Sequence, residues 1–136
     1  MGELSPDGRF EIHTHRRDDD SYFYSDTDYS WWIAIVETGD EIAQFSGSSC
    51  DRRDGLHEDG VERVCFDGGF VVATGYDGKV ERVELPASWQ VSDDGKRITL
   101  AYPDGRADTR ERFPVIATGK FGDSFFLTRL APPGSR

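Results

Sequence analysis

Carboxylates and aromatic rings interleave through the stretch Asp18-Asp19-Asp20-Ser21-Tyr22-Phe23-Tyr24-Ser25-Asp26-Thr27-Asp28-Tyr29-Ser30-Trp31-Trp32. The chemistry this combination supports is recognition. Acids steer and pair with a cationic surface, while Tyr and Trp bury large rigid areas at little entropic cost. Asp18, Asp19, Asp20, Asp26 and Asp28 are the candidates for charge pairing, and Tyr22, Tyr24, Tyr29 and Trp31 or Trp32 for anchor area. The plainer reading is a solvated loop whose rings fold back onto the core. Adjacent strand residues point to opposite faces, so Trp31 and Trp32 share a core only through a bulge or a sheet covered on both sides; otherwise one of them is an exposed anchor.

Three other groupings have reactive residue types. Asp26, Asp28, Ser30 and Glu37 fall at positions 1, 3, 5 and 12 of a calcium loop, but Trp31 stands where the sharp turn needs Gly. His13 and His15 lie two apart, on one face of a strand, a spacing seen in metal-binding β-barrels such as cupins. A third ligand is not evident, so they are weak metal candidates and no cofactor is expected. Cys50, His57 and a nearby Asp fit a nucleophile, base and orienting group, but no nucleophile elbow surrounds Cys50. The polar run 46–60 that holds them reads better as a mobile connector. Phosphate-loop, dinucleotide and CxxC motifs are lacking.

These residues sit in a lopsided chain of 136 residues with a net charge of −10. Residues 1–60 hold five Arg against fifteen Asp or Glu, and residues 61–136 hold eleven bases against eleven acids. A field of this sign attracts basic partners and disfavours nucleic acid and anionic membrane. Thirteen of the sixteen bases are Arg, suited to pairing with carboxylates inside the molecule. No apolar run approaches the length of a transmembrane helix, and the N-terminus lacks a basic segment followed by an apolar one, so a cytoplasmic protein with two reduced thiols is expected, export of a processed form being the alternative.

Asp-Gly punctuates the chain seven times, at 7–8, 54–55, 59–60, 67–68, 77–78, 94–95 and 104–105. Gly takes positive φ and Asp bonds the following backbone, so each pair predicts a turn. Strands are predicted between them over 9–15, 31–37, 41–46, 61–66, 70–74, 79–85, 97–102, 106–112 and 124–130, with no helical periodicity of any length. The expected fold is one all-β domain over residues 1–130, an antiparallel sandwich or barrel of eight or nine short, mostly hairpin-linked strands, with a frayed tail at 131–136.

The function expected from these residues is that of a non-catalytic acidic binding module, an immunity or inhibitor protein occluding a basic toxin or nuclease. The alternative is a small barrel holding an apolar or aromatic ligand among Phe70, Trp89, Phe125 and Phe126. A metal-dependent enzyme built on His13 and His15 comes third.

Overall fold

Phe10 and Ile12 on one strand, and Trp31, Ile33 and Ile35 on the next, point to the same side and set the inner face of the sheet, while the whole run Trp31-Trp32-Ile33-Ala34-Ile35 is buried. The computed structural model describes residues 2–112 in full and, beyond them, the backbones of Val115–Phe121 and Ser124–Arg129. The chain is all-β. Its strands are β1 (Glu3–Leu4), β2 (Phe10–Asp20), β3 (Tyr24–Ile35), β4 (Glu41–Arg52), β5 (Gly55–Asp67), β6 (Phe70–Gly75), β7 (Val80–Glu84), β8 (Ser88–Val91), β9 (Arg97–Ala101), β10 (Ala107–Glu111), β11 (Val115–Phe121) and β12 (Ser124–Arg129).

Strands β1 to β7 form a curled antiparallel meander in sequence order. A smaller sheet, β10-β9-β8, packs on its inner face, and β11 pairs with β12. Phe10, Ile12, Trp31, Ile33, Ile35, Val71, Ile98 and Leu100 fill the space between the two larger sheets, which is the expected sandwich-like core. Arg side chains tie the sheets together at the edges. Arg9 donates to the carbonyl of Ala87 at 2.6 Å, and Arg110 to that of Ile42 at 3.3 Å.

All seven Asp-Gly glycines have positive φ. Six of them sit in turns, as predicted. The turns at Ser5–Arg9 and Ser92–Lys96 share one bonding pattern: Ser Oγ donates to the Asp carboxylate, which also accepts the backbone N–H two residues on. The seventh, Gly60, lies inside β5. It pairs with Gly47 just before the register shifts between Val61 and Arg63. A Cβ on Gly47 would meet the Val61 carbonyl oxygen at 1.9 Å, so the close backbone approach at this bend needs glycine. Here β5 leaves β4 and begins to pair with β6.

Two expectations are corrected. Strands β2 to β5 are 11 to 13 residues long, not short, and the 46–60 run is a hairpin instead of a mobile connector. Apolar alternation stops at Thr14 and before Trp31, but backbone pairing continues through the polar halves, from Thr14↔Trp31 to Asp20↔Ser25 and from Gly47↔Gly60 to Arg52↔Gly55. The outer ends of these four strands carry mostly exposed side chains and form an arm beyond the core. Strands β1, β8 and β11 have no counterpart among the predicted strands, and residues 131–136 of the expected tail lie outside the described residues.

Candidate functional site

The acidic block is the β2–β3 hairpin at the outer end of this arm. Its turn is closed by the Ser21 N–H donating to the Tyr24 carbonyl at 2.8 Å. Successive pairs bring Asp18 beside Thr27, Asp19 beside Asp26 and Arg17 beside Asp28. Three of the five acids are engaged locally. Asp18 accepts from Thr27 Oγ1 at 2.8 Å and from Arg16 Nε at 3.1 Å, Asp20 from Ser25 Oγ at 2.5 Å, and Asp19 from Tyr24 Oη at 3.5 Å. Hydrogen bonding from Thr27, then from Arg16, holds the Asp18 carboxyl below the usual range. Asp26 and Asp28, both half-buried, make no hydrogen bond or ion pair among the described residues.

The rings separate into two groups. Tyr22, 94% exposed, and Phe23, 63% exposed, stand at the tip in an edge-on pair with centroids 4.9 Å apart, and Tyr24 is partly exposed beside them. Tyr29 instead stacks on Trp31 at 5.5 Å and packs against the core. Trp31 is 6% exposed and Trp32 3%, on opposite faces of β3. The exposed anchor expected of one of them is therefore absent, because the sheet is covered on both sides at this point. His13 covers Trp32, its ring stacked at 5.3 Å and 7°, while Trp32 Nε1 is buried without a hydrogen-bond partner among the described residues. Phe23 is the exposed ring that the sequence reading did not select. Its place between two Tyr in a polar tip is the signal that pointed to it.

The other groupings disperse or gather according to register. Asp26, Asp28 and Ser30 run along extended β3, so calcium-loop spacing closes no loop here. His13 Nδ1 lies 3.3 Å from Glu11 Oε1, and His13 is occupied by Trp32. Among the described residues no three His, Cys, Asp or Glu gather to hold a metal. Phe70 lines a cleft of about 460 Å³ with Phe10 and Leu85, whereas Trp89 packs edge-on against Phe10 in the core. The side chains of Phe125 and Phe126 lie outside the described residues.

Cys50 and His57 are direct cross-strand partners, with Asp26 across from Cys50 on the other side. Asp54 Oδ1 sits 3.1 Å from His57 Nε2, and this contact is the main cause holding the Asp54 carboxyl below its ordinary range. Arg52 Nε donates to Cys50 Sγ at 3.4 Å. Two adjoining clefts, of about 580 and 530 Å³, share Asp26, Cys50 and Arg52 in their walls. Arg52 and Asp54 went unselected in the sequence, although a two-residue turn at Arg53-Asp54 dictates the Cys50–His57 pair.

These residues define an all-β protein with an acidic, ring-tipped arm. Comparison with family models, with curated proteins and with solved structures gave no match.

Proposed function

We propose that the protein is a non-catalytic binding module whose arm occludes a basic partner, such as a toxin or nuclease. The observation that carries this reading is the pair Tyr22 and Phe23, exposed at a hairpin tip that is bordered by carboxylates on both strands. Exposed adjacent rings are costly to keep in water and provide anchor area when covered. Asp26 and Asp28, without an ion-pair partner among the described residues, and the exposed Asp18, Asp19 and Asp20 together supply the charge that speeds encounter. Trp31, Trp32 and Tyr29 support the arm from beneath rather than touch the partner.

The test is a pull-down at low salt from cells of the native host, with wild-type protein, Tyr22→Ala/Phe23→Ala and Asp26→Asn/Asp28→Asn as baits. The expected result is a basic protein retained by the wild type, released by salt, and lost or weakened about tenfold or more with either variant. A partner held equally by all three baits overturns the reading.

A further inference from the structure

Four charged or titratable groups gather around Cys50 on the arm. Arg52 donates to Cys50 Sγ at 3.4 Å, His57 stands directly across on β5, Asp26 directly across on β3, and Asp54 holds His57 at 3.1 Å. Directly paired residues on neighbouring strands have Cβ atoms about 4.5–5.5 Å apart, so His57 and Asp26 flank the thiol within reach of a small reactant. The thiol is half-buried at the wall shared by the two clefts, which open to solvent.

The second cysteine provides an internal comparison. Cys65 is also a free, half-buried thiol, but it pairs with Val72. Its neighbours in sequence, Val64 and Phe66, pack against the core. No cation donates to its sulfur among the described residues.

We propose that Cys50 is a thiol–disulfide exchange site that takes small cationic disulfides in preference to anionic ones. A guanidinium donating to the sulfur favours the negative charge that the attacking thiolate carries. The thiol gives its proton to solvent, and the thiolate attacks one sulfur of the disulfide R–S–S–R. The S–S bond breaks, a Cys50–S–S–R bond forms, and RS⁻ departs and takes up a proton. Cys50 is oxidised and the departing sulfur is reduced.

Selectivity comes from the rim. Asp26, Asp54, Glu58 and Asp59 line the clefts against Arg52 and Arg53, so the approach is net negative. Among the described residues Arg52 donates to the sulfur and no carboxylate contacts it. For a diffusing reactant the balance reverses, because it meets the summed field before the sulfur.

The experiment exposes the folded protein at low salt to cystamine, 2-hydroxyethyl disulfide or oxidised glutathione, and follows each cysteine by peptide mass spectrometry. Cys50 is expected to react about tenfold faster than Cys65, with cystamine fastest and oxidised glutathione slowest. Raised salt should narrow the order, and urea should bring the two cysteines together. Arg52→Gln should slow Cys50 severalfold and leave Cys65 unchanged. Equal rates for the two cysteines in the folded chain overturn the site, whatever the variant does. Oxidised glutathione matching cystamine overturns the charge preference.

Discussion

Arg112 closes on Asp40, its Nε and Nη2 lying 3.1–3.2 Å from the two carboxylate oxygens, across a sequence separation of 72 residues. The Asp40 side chain is 5% exposed, and Arg112 also donates to the Gly95 carbonyl at 3.3 Å. The pair pins the end of β10 to the β3–β4 turn. Removing one partner strands a buried charge, so Arg112→Ala should cost roughly 3 kcal/mol or more, while Arg112→Lys, which loses the fork, should cost less. Urea unfolding monitored by Trp fluorescence measures both.

Gly47 and Gly60 let β4 and β5 approach at the bend of the sheet. Gly47→Ala places a methyl group against backbone that has no room to give, with an expected loss of about 1–3 kcal/mol or failure to fold. Gly69→Ala is the control, since a Cβ there meets nothing within 4 Å. A thermal melt in which the two variants match would refute the account of the bend.

Hydrogen bonding from Arg9, then from Ser5, lowers the Asp7 carboxyl from 3.8 to about 2. A depressed folded value means the contribution is complete above pH 3.8 and disappears as pH falls towards 2. Asp18, Asp54, Asp94 and Asp104 shift in the same direction, Asp94 chiefly through Ser92 and Asp104 chiefly through the Arg106 backbone N–H. Acid should therefore destabilise the chain over this window, and Asp7→Asn should flatten the slope. NMR titration of Asp7 near the ordinary carboxylate value would contradict it.

Trp31 and Trp32 should respond differently to truncation. Trp31 belongs to the main core, and Trp31→Ala should cost about 3–5 kcal/mol. Trp32→Phe removes a buried N–H that has no partner among the described residues, which offsets part of the lost packing. Its expected cost is under about 1.5 kcal/mol, and less than that of Trp31→Phe. Denaturant midpoints for the three variants decide this.

At the tip, Tyr22→Ala/Phe23→Ala should leave the melting curve within about 0.5 kcal/mol of wild type, since both rings are largely exposed. Large destabilisation would make them structural, and would remove them as partner anchors.

The all-β class and the turns were legible because both depend on local chemistry. Asp-Gly forms a turn through its own backbone and side-chain bonds, and Phe10-Glu11-Ile12 alternates because one face of a strand is buried. Strand length was not legible. Asp18 to Asp20 and Ser46 to Arg52 lack apolar alternation, and they extend only because a neighbouring strand offers hydrogen-bond partners.

The site divides along the same line. Sequence alone determined which residue types were present, where the acids and rings cluster, and that Trp31 and Trp32 face opposite ways. Tertiary structure alone decided that both are buried, that Tyr22 and Phe23 remain in water, and that Cys50 meets Asp26 as well as His57. The physical reason is that exposure and cross-strand neighbours depend on what covers a face and which strand lies beside it. Those are properties of distant segments, not of a residue and its own neighbours in the chain.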